Sequence, residues 1–257
     1  MGRALLAGAL AKGVLRPEQV SLCETDFKKA ETLQKELHLG FTGSAVACVE
    51  RSELILLAVK PSQVRDLLLE IQPSLTSAHV VVSVAAGQSL AALRAASGPR
   101  PALVRVMPNT PALVGEGASA LCFDESVPPE SRQQVRSLFE AVGTSVEVAE
   151  KDLDAVTGLS GSGPAYVFLL IEALADGGVR AGLSREIALR LAVQTVKGAA
   201  SLASVTGTHP AELKDQVASP GGTTIAGIEA LEAHGFRNAA IQAVLAAARR
   251  SAELSKT

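Results

Sequence analysis

The segment Ser219-Pro220-Gly221-Gly222-Thr223-Thr224 is the most chemically loaded stretch of this sequence. A Pro-Gly-Gly turn running into two threonines and an apolar helix presents free backbone N–H groups and hydroxyls at a helix N-terminus. That is a ready site for a carboxylate or phosphate. Capping alone would use one Ser or Thr, so the run holds more than capping requires. TGLSGSGPAYVFLL (residues 157–170) repeats the design, a Ser/Gly-rich turn leading into a long apolar helix. In RVMPNTP (residues 105–111), two prolines bracket Asn109 and Thr110 directly after a strand-like run. Such a rigid loop serves either as a structural turn or as a holder for a polar side chain at a sheet edge.

The nucleotide-type signals are less specific. Gly2 opens an apolar helix where the last glycine of a G-x-G-x-x-G turn would stand, without the strand and earlier glycines of that turn. Glu24 lies about where an acid binds the adenosine ribose hydroxyl, and a plain helix-start acid is an equal reading. AVKP (Ala58, Val59, Lys60, Pro61) and SVAAG (with Val84, Ala85 and Ala86) fall at the carboxyl ends of expected strands. Ligands lie over that edge in open α/β sheets. The competing readings are a surface lysine and close helix–sheet packing.

These residues need elements to position them. From Val20 to about Ala149, apolar runs (VSLC, ELILLAV, HVVVSVA, ALVRVMP, ASALCF, SVEVA) alternate with helical stretches, which predicts a parallel sheet covered on both faces. From Leu153 onward the pattern is helix after helix, with Gly-containing breaks near 158–163, 177–182, 207 and 219–222. The expected fold is an α/β Rossmann-like domain over residues 1–150, its first strand missing, followed by an all-α domain over residues 151–257.

Composition excludes several classes. The chain has 257 residues, 47% hydrophobic, with a net charge of −2, which disfavours nucleic acid as a partner. No apolar run of membrane-spanning length is expected, and the start MGRALLAGALAKG reads as an amphipathic helix rather than a signal peptide. Three scattered cysteines and four histidines without ligand spacing argue against a disulfide framework and a metal site, and for a reducing cytoplasmic compartment.

LSGSGPAY (Leu159–Tyr166), EALADGG (Glu172–Gly178) and LKDQVASPGGTTIAGIEALE (Leu213–Glu232), with AVKP, SVAAG and MPNTP upstream, resemble the pyrroline-5-carboxylate reductase family along the whole chain. The resemblance implies hydride transfer from NADPH or NADH to the C=N of 1-pyrroline-5-carboxylate, giving L-proline. It places the substrate carboxylate on the amides of Gly222, Thr223 and Thr224 beside Ser219, the Thr224 hydroxyl at the ring nitrogen as the catalytic contact, and Glu150 at the pocket from the domain junction. Gly2, Glu24, Ala58 to Pro61, Val84 to Ala86, Asn109 and Gln216 would approach the cofactor. It also implies a homodimer through the helical domain and a larger ring of dimers.

Two departures from the family carry expectations. Met1-Gly2 match only the end of the family's G-x-G-x-M-G turn, so a longer natural product with about ten more residues, a strand plus turn, is expected. Glu24 and Asp26 stand where a 2′-phosphate would be repelled, which predicts a preference for NADH. The alternatives are a related imine or hydroxy-acid dehydrogenase, or a truncated chain that oligomerises without activity.

Overall fold

The structure is a computed structural model that describes residues 1–39 and 41–255. Lys256 and Thr257, the end of the expected helical domain, lie outside the described residues. The chain divides into two compact units, residues 1–162 with the C-terminal segment from Ala246, and residues 163–245.

The first unit opens with α1 (Gly2–Ala11), followed by β1 (Ser21–Leu22), α2 (Phe27–Leu37), β2 (Phe41–Thr42) and α3 (Ala45–Val49). It continues with β3 (Leu54–Leu57), α4 (Pro61–Ile71), β4 (Val80–Ser83), α5 (Leu90–Ser97), β5 (Ala102–Met107), β6 (Gly117–Phe123), α6 (Pro129–Glu140), β7 (Gly143–Glu147) and α7 (Leu153–Val156). A five-residue π-turn, Thr157–Gly161, closes it. Capping side chains set several helix starts. Asp26 accepts the Lys28 and Lys29 N–H groups at α2, and Ser89 accepts that of Ala92 at α5.

Strands β3 to β7 form one sheet in chain order, while β1 and β2 pair in a separate parallel ribbon. Alternation sorts the core into two faces. Val80, Val82, Val104 and Val106 pack with Leu5, Ala9, Val135 and Phe139 of α1 and α6. Val81 and Leu103 pack with Val64, Leu68 and Ile71 of α4 and Leu93 of α5. Both faces are therefore covered, as the continuous apolar strands require.

The sheet departs from the expected parallel arrangement at one strand, because β6 runs antiparallel to β5. Only a loop and a short 3-10 turn (Thr110–Val114) join the two strands. A parallel partner would need a crossover of a dozen or more residues, usually a helix. Helix α6 supplies such a crossover one step later, and β7 pairs parallel to β6. Among the described residues no strand pairs with the outer edge of β3, and Leu54, Ile55 and Leu56 there are only partly buried.

The second unit holds α8 (Gly163–Arg180), α9 (Arg185–Thr206), α10 (Pro210–Val217), α11 (Thr223–Ala233) and the start of α12 (Phe236–Leu254). Helices α8 and α9 pack through Ala175, Ala188 and Ala192, with Gly178 letting the two backbones come close. Gly207, at φ +63°, ends α9 in the left-handed conformation that favours glycine. The break expected near 158–163 is absent. The Ser/Gly run is a π-turn that carries α7 directly into α8, so it is not a free helix N-terminus. One consequence overturns the expectation about spanning length. The continuous helical stretch Glu150–Arg180 is long and apolar enough to cross a membrane by length and composition alone.

Candidate active site

The carboxyl edge of β3, β4 and β5 gathers most of the residues expected at the cofactor. Gly2, the first residue of α1, lies against the end of β3, where a Cβ on it would stand 2.8 Å from the Ala58 Cβ. Only glycine fits there without displacement. Val59 follows, then Lys60 as N-cap of α4 and Pro61 as its first residue. The Lys60 N–H donates to Gln63 Oε1 at 3.3 Å, and its side chain is exposed. On the neighbouring strand the buried Ser83 hydroxyl accepts the Ala85 N–H at 3.3 Å, which folds the Val84-Ala85-Ala86 turn. Ala58 and Ala86 are exposed beside these turns, leaving small side chains along the edge.

Asn109, just beyond β5, is 9% exposed. Its Oδ1 accepts the Ala118 N–H at 2.9 Å, and its Nδ2 donates to the Ser160 carbonyl at 3.0 Å. Both ends of the amide therefore have protein partners.

Glu24 follows β1 in the two-stranded ribbon. It pairs with Lys29 at 3.4 Å and accepts the Asp26 N–H at 3.2 Å. Burial raises its pKa, but the Asp26 N–H and Lys29 outweigh that and hold the carboxyl below its ordinary value. Asp26 caps α2, so its carboxylate is already committed to backbone amides.

Glu150 is tied within the first unit. Its Oε1 accepts the Leu90 N–H at 2.6 Å, at the start of α5, and pairs with Arg105 at 3.2 Å. The Arg105 residue is only 8% exposed, a charge buried in β5 that needs this partner. The local pattern around Arg105 assigns it no role. The available signal was a lone arginine inside the apolar run ALVRVM. Beside Glu150 lies an open cleft of about 650 Å³, bordered by Cys122, Asp124 and Glu147. Burial pushes the Cys122 thiol pKa up, which keeps it protonated.

The remaining candidates belong to the second unit. Gln216 is exposed in the last turn of α10. The turn after α10 places Gly221 at φ +66°, and the Gly222 N–H donates to the Ser219 carbonyl at 3.1 Å. A Cβ on Gly222 would come within 2.2 Å of the Ser219 hydroxyl. Gly222 is the N-cap of α11 and no side chain caps that helix. The first-turn amides and the Thr223 and Thr224 hydroxyls are thus assembled without a capping side chain across them, an anion-holding arrangement.

The family model for pyrroline-5-carboxylate reductase dimerisation matches residues 150–254, and one for NADP oxidoreductase, coenzyme F420-dependent, matches residues 1–87. A pyrroline-5-carboxylate reductase of Synechocystis is 48% identical over 256 residues, spanning 100% of this chain and 95% of the relative. The chain belongs to the pyrroline-5-carboxylate reductase family. A solved structure of the Coxiella burnetii reductase superposes with a TM-score of 0.95 at 34% identity, covering 100% of this chain and 95% of that one. The Plasmodium falciparum reductase, solved with NADP bound, gives a TM-score of 0.86 at 34% identity, covering 99% and 94%. Family membership accounts for the Rossmann-type sheet followed by a helical dimerisation domain, and for a nicotinamide cofactor.

Proposed function

We propose that this chain reduces 1-pyrroline-5-carboxylate to L-proline with a reduced nicotinamide cofactor. The observation that carries the proposal is the Ser219–Thr224 turn, whose uncapped helix N-terminus suits a carboxylate, in a chain whose relatives bear that activity. Residues 1–150 serve the cofactor, and residues 151–257 serve the substrate and dimerisation.

The chain's own residues mainly bind and orient. The amides of Thr223 and Thr224 hold the substrate carboxylate, while the Gly222 N–H, expected to join them, is given to the Ser219 carbonyl and shapes the turn. The Thr224 hydroxyl accepts a hydrogen bond from the protonated ring nitrogen and fixes the face presented to the donor. Glu150 shapes the pocket wall through its tie to Arg105 and Leu90. Gly2, Ala58 to Pro61, Val84 to Ala86 and Asn109 line the cofactor edge, and Gln216 on α10 is a further cofactor contact. The small side chains there let a dinucleotide reach the backbone. When bound, the reduced nicotinamide supplies the hydride. A cyclic iminium is already electrophilic, so positioning supplies most of the catalysis.

Glu24 is the basis for preferring NADH. Its carboxylate is held ionised at the ribose position, where it repels a 2′-phosphate. The Glu24→Ser variant should lower KM for NADPH several-fold while leaving KM for NADH within about threefold. A wild-type KM lower for NADPH than for NADH would refute the preference. The helical domain forms a homodimer, dimers join into a ring, and the protein works in the cytoplasm, where its three free cysteines stay reduced.

The deciding experiment follows oxidation of NADH and NADPH by the purified chain with pyrroline-5-carboxylate. Turnover of six-membered cyclic imines but not this five-membered one would assign a related imine reductase instead.

A further inference from the structure

Asn109 is expected to approach the cofactor, yet its amide is spent inside the protein. One end holds β6 through the Ala118 N–H, and the other holds the π-turn through the Ser160 carbonyl. The reason the π-turn needs this donor is written four residues further on. In a helix the carbonyl of Ser160 would receive the N–H of residue 164, and that residue is Pro164, which has none. Three further polar groups of the turn are satisfied locally. Thr157 Oγ1 donates to the Leu153 carbonyl, Ser160 Oγ to the Val156 carbonyl, and the Ser162 N–H to the Thr157 carbonyl. The turn is also pressed against the end of β5. A Cβ on Gly161 would lie 2.4 Å from the terminal methyl of Met107, so the methionine side chain would have to swing aside for any larger residue. A proline-orphaned carbonyl and a buried asparagine thus meet at one point of the cofactor edge.

We infer that Asn109 is a positioning residue for hydride transfer: it latches the Thr157–Gly161 π-turn to the carboxyl end of β5 and so fixes the Met107–Asn109 backbone at the edge that would face a nicotinamide, instead of gripping the cofactor itself. The inference rests on the reductase reading above for its catalytic consequence. The latch itself stands on the hydrogen bonds.

The test uses Asn109→Asp, which keeps an acceptor for the Ala118 N–H but presents an oxygen, not an N–H, to the Ser160 carbonyl. In the ligand-free protein, amide hydrogen exchange over residues 157–163 should speed up about tenfold. In turnover, kcat should fall about tenfold to a hundredfold while the NADH dissociation constant stays within about twofold. Pro164→Ala gives the Ser160 carbonyl an N–H of its own. In that background the same Asp substitution should lose less than half as much in logarithmic kcat. Unchanged exchange in Asn109→Asp would overturn the latch whatever the activity. A raised NADH dissociation constant with unchanged kcat would overturn the positioning role in favour of direct cofactor contact. Because exchange is read without substrate, failure of the unmodified chain to reduce pyrroline-5-carboxylate would count against the function and leave the latch to be judged by exchange alone.

Discussion

The two units of the molecule meet their polar and apolar needs in opposite ways. At the sheet edge the polar groups close on one another: Ser83 on Ala85, Asn109 on Ala118 and Ser160, and Glu150 on Leu90 and Arg105. The strands beneath are buried on both faces. In the helical unit the turn before α11 has no capping side chain, α11 buries no residue, and large apolar side chains such as Phe168, Leu169 and Leu191 are more than half exposed. One region is finished within the protomer. The other leaves its turn uncapped and its large apolar side chains exposed, in keeping with the dimerisation family it matches.

If the open turn is where chemistry happens, the largest loss should come from Thr224→Val. This change removes one hydroxyl at nearly constant volume and should lower kcat about a hundredfold, with cofactor affinity unchanged in a binding titration. Gly222→Ala has to displace the Ser219 hydroxyl and should raise substrate KM about tenfold in steady-state assays, with a smaller effect on kcat.

Phe168→Asp tests the other open surface. Because the side chain is 64% exposed in the protomer, its own helix pair should survive. The dimer should weaken at least about a hundredfold, read by sedimentation across a concentration series. A variant that stays dimeric would remove Phe168 from the interface.

At the closed edge the buried ion pair should show its effect in stability. Glu150→Gln still accepts the Leu90 N–H but leaves Arg105 buried without a counter-charge. A loss of about 1–2 kcal/mol is expected in urea unfolding, below the usual figure for a buried pair because Glu150 is partly exposed.

The smallest effect concerns acid. Burial raises the Asp124 pKa, but the Ser126 N–H and Arg94 outweigh it and hold the carboxyl below its ordinary value. The unfolded chain therefore binds this proton first as pH falls. The stabilisation is present at neutral pH and is lost between the ordinary carboxylate pKa and the lower folded value. Asp124→Asn should flatten that part of the stability–pH curve, measured by thermal unfolding at stepped pH.

Much of this comparison was legible in the residues. Alternation of apolar runs and helical stretches determined a sheet covered on both faces, because period and length are local properties. The Pro-Gly-Gly-Thr-Thr run determined an open helix N-terminus, since proline and glycine set backbone angles and the threonines follow at once. Local pattern also misled. The Ser/Gly run at 157–163 reads as a break, yet it is accommodated inside a continuous helix as a π-turn. The two-residue strands β1 and β2 and the short α3 carry too little pattern to stand out.

Tertiary structure alone decided which groups became partners. The reversal of β6 follows from the absence of a helix between it and β5. The Asn109–Ser160 bond joins residues 51 apart, and the Arg105–Glu150 pair residues 45 apart. No periodicity encodes such meetings. They arise because a buried amide, carbonyl or charge must find a partner, and packing determines which one is within reach.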